Sequence, residues 1–349
     1  MKKKLLVVVL IIALISCFGL AGCGSSNDEA GTEQGEVYTM RIAHLTNETD
    51  SMHQGALYLE KIIEERTNGQ VQVDIYPAKT LASSDAELAE MNRNGSVEMA
   101  ITTPTYIGAL AGLSHTNIFD FPYVFQSFDE LYAFCDSELG QQLADEVQDA
   151  SGIRPIGIYS TGWHKIGTVK KPVEKLEDLK GQKIRCIVSD VAMGTLSCFG
   201  ANPTPVNYGE VYTALQQGTV DGNMTATNLI VSEKYYEVMP NITCADVVPH
   251  VLYPTYNVAW LESLPEDLQA TVLACFDDYL QYIRDFGRGV EEESIQALKD
   301  AGANVIALSD EEKAKFVEAA KENWSQKDLC GADFFDAVVA LTEEFRANN

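Results

Sequence analysis

Two rhythms of apolar and polar positions alternate along this chain from Tyr38 onward, one with a period of two residues and one near 3.6. Residues 40–44 read as a strand, and Ser51–Arg66 as a helix carrying Ala56, Leu57, Leu59, Ile62 and Ile63, stopped by Asn68-Gly69. Val71, Val73 and Ile75 alternate with polar residues, as a strand with one wet face does. Ser84 with Glu87 starts a helix to Asn94-Gly95, 97–103 is the next strand, and Ser127 with Glu130 opens a longer helix to about residue 150. The alternation then restarts, with strands at 156–159, 166–169 and 183–187, helices at 191–199 and 209–217, and a strand at 219–224. Two such runs predict an α/β chain of two domains, and 349 residues exceed what one hydrophobic core usually serves.

The segment 263–301 carries the strongest helical period, with Leu268, Val272, Phe276, Leu280 and Ile283 on one stripe. Ser263 with Glu266 reads as its capping box and Pro265 as a first-turn residue. At 1.5 Å per residue such a helix reaches about 55 Å, longer than one small domain, so it is expected to lie across both. Gly287 and Gly289 are the expected bend points. Ser309 with Glu312 starts a further helix.

The start of the chain follows a different logic. Lys2, Lys3 and Lys4 precede an apolar run of 16 residues, 5–20, and then Leu20-Ala21-Gly22-Cys23, the pattern of an export signal with a small-residue cleavage site. The run is shorter than the roughly 18 to 20 residues of a membrane span. Leu-Ala-Gly-Cys resembles a bacterial lipobox, which implies a signal peptide over 1–22 and a lipid on Cys23 that ties the protein to the membrane. The polar stretch that follows cannot bury enough surface to order itself, so 23–37 reads as a flexible tether. Cleavage removes three lysines and no acid, taking the formal charge from −26 to −29. Such a charge excludes nucleic acid as a partner and means that any anionic ligand needs locally placed cations.

Enzymatic and cofactor signatures are lacking. The sequence has no G-x-S-x-G elbow, P-loop, H-E-x-x-H or dinucleotide glycine fingerprint, and no metal-ligand spacing, so no cofactor or metal is expected. Its five histidines, at 44, 53, 115, 164 and 250, are scattered, and six cysteines beyond Cys17 and Cys23 sit in apolar or helical settings, as free thiols do. Arg185 differs. It stands inside the apolar strand Lys183-Ile184-Arg185-Cys186-Ile187, where a guanidinium demands a partner: either an internal acid or a ligand carboxylate taken by the planar fork.

Around that strand the chain reads KIRCIVSDVAMGTLSCFGANPTPVNYGEVYTALQQGTVDGNMTATNL over 183–229. This resembles the solute-binding proteins of tripartite ATP-independent periplasmic (TRAP) transporters, the DctP family, where K-I-R-V, L-G-A-N-P-T-P, S-E-V-Y-T-A-L-Q and V-D-G occur in that order. Thr67-Asn68-Gly69, Phe121-Pro122-Tyr123-Val124-Phe125 and Leu264-Pro265-Glu266-Asp267-Leu268 extend the similarity over nearly the whole mature chain. Pro77-Ala78-Lys79-Thr80-Leu81-Ala82 departs from the family's P-A-G-x-L-G. The resemblance implies a type II periplasmic-binding-protein-like fold, two α/β domains closing on a small organic acid, and delivery to a permease of small and large membrane subunits. It assigns Arg185 to the substrate carboxylate and Tyr208, with Asn207 beside it, to the ligand; Thr225 falls where many members have Asn after V-D-G. His164 falls where many members carry a second arginine, which favours a mono-acid, a sugar acid or an otherwise shaped anion over a dicarboxylate or a sialic acid.

Other candidates come from position alone. Thr102 and Thr103 end a strand, where open α/β sheets place ligand groups. His53 opens a helix whose dipole suits anions. Trp163 could stack on a ligand or pack in the core, and Tyr253, Tyr256 and Asn257 lie near the expected crossover. The expected domains are 38–161 with 251–289, and 162–250 with 290–349. Two other classes remain open at this stage: a sensor lipoprotein serving a membrane receptor, and a surface enzyme acting on a small acid.

Overall fold

The computed structural model describes residues 36–348, so the signal peptide, Cys23 and nearly all of the tether lie outside the described residues. Eleven strands form one twisted, branched sheet. In chain order they are β1 (Tyr38–Ala43), β2 (Val71–Tyr76), β3 (Met99–Thr102), β4 (Ile153–Pro155), β5 (Tyr159–Thr168), β6 (Lys183–Cys186), β7 (Asn202–Pro205), β8 (Gly222–Ala226), β9 (Asn241–Cys244), β10 (Pro249–Asn257) and β11 (Asn304–Ala307). The main path runs β2-β1-β3-β10-β5-β8-β6-β7. Parallel β2-β1-β3 and parallel β8-β6-β7 form its two wings. Strand β10 joins them, pairing antiparallel with β3 through Tyr253 to Tyr256 and with β5 through its first half. Both β5 and β10 thus belong to the middle of the molecule, where the two wings meet.

Local chemistry sets most helix starts. Asp50, Ser84, Ser127 and Ser309 each accept a backbone N–H of the first turn that follows, meeting donors a helix leaves orphaned. The helix expected to run on to residue 150 instead breaks in two, Phe128–Asp136 and Glu138–Ser151. Ser137 ends the first and caps the second, and Gly140 sits so close to the Phe134 carbonyl that a Cβ there would lie 2.4 Å from it. The strands expected at 156–159 and 166–169 are one ten-residue strand, β5, which passes through Gly162 at φ 125° opposite an irregular register in β10. The helix Pro104–Ala111, with proline at its first position, has no counterpart in the sequence pattern.

The long helix is present as Glu266–Asp300, 35 residues. Its cap is Pro265, not Ser263, whose hydroxyl donates to the Trp260 carbonyl and closes the preceding helix Val258–Ser263. Along its first half Leu268, Val272, Phe276, Tyr279 and Ile283 bury against β1, β2 and the helix Ser51–Arg66. At its far end Leu298 enters a separate core with Val211, Val220 and Ile242. One helix therefore serves the cores of both wings. Gly287 is there for close approach: a Cβ would lie 2.3 Å from the Ser160 carbonyl. The C-terminal helix Ala332–Asn348 returns to the first wing, packing Phe335 and Val338 with Phe121 and Phe134, and Arg346 pairs with Glu130. The expected second domain, 162–250 with 290–349, included this helix. All six described cysteines are free.

Candidate functional site

Where β3, β5, β6, β8 and β10 converge, a cavity opens, its walls largely apolar with Met52, Ile101, Phe119, Ile187 and Leu252 among them. Arg185 reaches it from β6 and is 3% exposed. Its Nε and Nη2 donate to the Val206 carbonyl at 2.9 and 2.8 Å, and Nη1 donates to Asn223 Oδ1 at 3.4 Å. Among the described residues no carboxylate lies within ion-pair distance of it. A buried guanidinium held by neutral acceptors, with no carboxylate paired directly to it, has the charge and the geometry to take an anion. Asn223 is brought to this cluster by pairing of β6 with β8, which sets it opposite Arg185.

The remaining candidates divide. His164, Tyr208, Thr225 and Thr103 line the cavity with Arg185. His164 Nδ1, Tyr208 OH, Thr103 Oγ1 and Asn223 Nδ2 are buried polar atoms without a hydrogen-bond partner. Such groups cost free energy unless something satisfies them; those of His164, Tyr208 and Thr103 line the cavity, and Asn223 stands beside Arg185. Burial, then the neighbouring His250 and Arg185, hold His164 well below the usual imidazole range, so it is neutral. It does not replace the positive charge of a second arginine.

Trp163, by contrast, lies on the other face of β5 with Lys165, edge-on to Phe128 at 4.7 Å, because successive residues of a strand point to opposite sides. His53 does not line the cavity; its Nδ1 lies 3.1 Å from His44 Nε2. The helix terminus it was expected to offer is already filled by the Asp50 carboxylate, which accepts from Met52 N and from Asn228 and Ser232. Asn207 is exposed, although the carbonyl just before it holds Arg185. Thr102 is buried behind the lining with its hydroxyl unpartnered. Lys165, 3% exposed, is paired with Asp246 and Glu291 and so is not a free cation.

Asn223 was missed in the sequence, although it stands directly after Val220-Asp221-Gly222, and so were two acids at the cavity, Asp85 and Asp120. Asp120 Oδ2 accepts from Thr105 Oγ1 at 2.8 Å and Ser189 Oγ at 2.7 Å. Contacts also join the wings: Asn47 Nδ2 donates to the Ser232 carbonyl at 3.2 Å, and Lys79 Nζ meets Glu233 at 3.1 Å and lies over the ring of the cavity-lining Tyr208. Ala78 and Lys79 both take left-handed φ, 55° and 62°, so the loop that lacks the family's glycine nonetheless adopts a conformation glycine favours. No group of three His, Cys, Asp or Glu suited to a metal occurs among the described residues, and no helix there is long and apolar enough to cross a membrane.

A two-winged α/β sheet with a single buried cation in the crevice between the wings is the architecture of an extracytoplasmic binding protein. The chain belongs to the bacterial extracellular solute-binding proteins, family 7, which it matches over residues 42–328, and it is a TRAP-type solute-binding protein of the DctP kind. It is 29% identical over 336 residues, 95% of this chain and 96% of the other, to the C4-dicarboxylate-binding periplasmic protein DctP of Shewanella loihica. It is 26% identical over 304 residues, 86% of this chain and 91% of the other, to the 2,3-diketo-L-gulonate-binding periplasmic protein YiaO of Escherichia coli. Among solved structures, a TRAP periplasmic solute-binding protein from Sulfurospirillum deleyianum with bound succinate has a TM-score of 0.82 at 27% identity, covering 88% of this chain and 99% of that one. The sugar acid binding protein DctPAm from Advenella mimigardefordensis, in complex with galactonate, has a TM-score of 0.84 at 23% identity, covering 88% and 99%.

Proposed function

We propose that this protein captures a small organic acid by its carboxylate at Arg185 and delivers it to a TRAP permease of small and large membrane subunits, held at the cell membrane by lipid on Cys23. The observation that carries the reading is the buried Arg185 fork, fixed by the Val206 carbonyl and Asn223 and left without an internal carboxylate. The relatives named for C4-dicarboxylate and 2,3-diketo-L-gulonate, both carboxylates, support the ligand class. Residues from both wings line the cavity, so a ligand that binds it touches both and favours the closed arrangement over an open one. A charge-assisted bond to Arg185 contributes roughly 1.5 to 3 kcal/mol, and burial with the unpartnered lining groups supplies the rest.

The test is a thermal-shift screen over organic acids followed by calorimetry on Arg185→Lys and Arg185→Met. Loss of binding with little change in the unliganded melting temperature is expected, because no internal ion pair is broken. A collapse of unliganded stability, by the roughly 3 to 5 kcal/mol of a broken buried pair, with near-normal affinity in the folded fraction would refute the role. For the anchor, mass spectrometry of the native protein is expected to find a mature N-terminus at Cys23 carrying lipid; an unmodified terminus elsewhere would remove that part of the proposal.

A further inference from the structure

The cavity that holds one guanidinium also holds two carboxylates, and their presence bears on what the ligand carries besides its acid group. This inference rests on the carboxylate reading of Arg185 and deepens it. Asp85 is the first residue of the helix Asp85–Arg93 and lines the cavity together with Arg185, yet the two side chains form no ion pair. No hydrogen bond from another residue reaches its carboxylate, in contrast to Asp120, whose Oδ2 is taken by Thr105 and Ser189. Lys165, the nearest candidate for a second cation on β5, is spent on Asp246 and Glu291 on the opposite face. The remaining titratable groups that line the cavity, His164, His250, Tyr106 and Tyr208, are uncharged near neutral pH, the histidines pushed down and the phenols pushed up, in each case chiefly by burial.

The charge arithmetic follows directly. Arg185 offers its guanidinium to one carboxylate of a ligand, in a cavity that already holds two acids. A second would enter a space of low dielectric already occupied by Asp85 and Asp120, with no cation left to meet it, and like charges at close range in such surroundings repel strongly. Hydrogen-bond donors have the opposite prospect. Among the described residues no other residue donates to the Asp85 carboxylate, so a hydroxyl or an ammonium there gains a charge-assisted bond. Burial pushes Asp85 up to about 6 against the pull of Arg185, the mark of a carboxylate short of partners; a donor from the ligand would relieve it.

We propose that Asp85 selects the ligand: the cavity accepts a monocarboxylate that also carries hydrogen-bond donors, hydroxyl or ammonium, and rejects dicarboxylates. Asp85 and Arg185 face the same cavity, Arg185 taking the acid group and Asp85 taking a donor. In this the protein differs from the ligand named for its Shewanella loihica relative.

The experiment is calorimetry on the mature protein with four probe classes: succinate and malate, gluconate and galactonate, 4-aminobutanoate and β-alanine, and plain butanoate. Hydroxy or amino monoacids are expected to bind at least about tenfold more tightly than succinate and than butanoate. Gluconate against 4-aminobutanoate distinguishes hydroxyl from ammonium as the donor. Asp85→Asn is expected to lower affinity for the best probe by at least about tenfold and to narrow the gap to succinate, while Asp85→Glu retains the order of preference. Melting of each unliganded variant checks that it folds, and if Asp85→Asn does not, Asp85→Ser carries the same comparison. Succinate binding as tightly as the best monoacid, with Arg185→Met abolishing both, overturns the proposal and leaves the carboxylate reading standing. An unchanged order of preference in the folded Asp85 variant overturns the role of Asp85. Binding of no carboxylate, or binding indifferent to Arg185→Met, overturns the reading beneath it.

Discussion

His250 is 5% exposed, with Nδ1 2.8 Å from Thr161 Oγ1, and burial pushes it down to about 4 from 6.5. Between those values the unfolded chain holds a proton on this imidazole that the folded chain does not, so His250 contributes stability above pH about 6.5 that is lost as pH falls toward 4. Asp50, Asp85 and Asp120 act with the opposite sign, because burial raises them and the folded state takes up their protons first. The histidine is therefore read as a difference: wild type is expected to lose stability more steeply than His250→Gln as pH falls from about 6.5, by up to about 1.4 kcal/mol per pH unit. Parallel curves in chemical denaturation would show that His250 is solvated in the folded state. His164→Arg adds a cation beside the ligand and is expected to raise affinity for succinate; no change for any acid would remove His164 from the ligand's reach. At this scale the sequence spoke through contrast. A guanidinium inside an apolar strand is conspicuous, so Arg185 was legible, whereas Asp85 in a helix's first turn and Asn223 after a turn look like ordinary surface residues. Trp163 and His53 do not line the cavity because strand alternation and the filling of a helix terminus by Asp50 are set by the fold.

Elements were legible where their signals are local. Ser84, Ser127 and Ser309 begin helices through bonds that span only a few residues. The same Ser-x-x-Glu pattern at Ser263 did not start the long helix, because Pro265, at ψ 147°, holds the chain extended until Glu266. The two glycines of that helix were indistinguishable in sequence, and the structure separates them. Gly287→Ala would drive a Cβ to 2.3 Å from the Ser160 carbonyl and is expected to destabilise the fold by about 1 to 3 kcal/mol. Gly289 has nothing within 4 Å, and Gly289→Ala is expected to stabilise by up to about 1 kcal/mol. Urea melts of the two variants check both; equal effects would mean that the helix does not press on β5 at Ser160.

The whole molecule was legible as an α/β chain with a spanning helix, but not in how its segments return. The path of the C-terminal helix back to Phe121 and Phe134 depends on packing over more than 200 residues of separation, which no periodic pattern encodes. Two wings bridged by β5, β10 and one helix, and joined by the Asn47–Ser232 and Lys79–Glu233 contacts, predict a clamp. Small-angle scattering is expected to give a smaller radius of gyration with a saturating acid than without; an unchanged radius would indicate a preformed pocket. The fixture of Arg185 has a further effect over many generations of mutation. Its partner at Val206 is a main-chain carbonyl, which every amino acid possesses, so replacing the Val206 side chain leaves the acceptor in place. The seat for an acid is thereby insulated from drift, while Asp85, Thr103 and His164 remain free to vary, and a lineage can exchange one nutrient for another without rebuilding the grip common to them all.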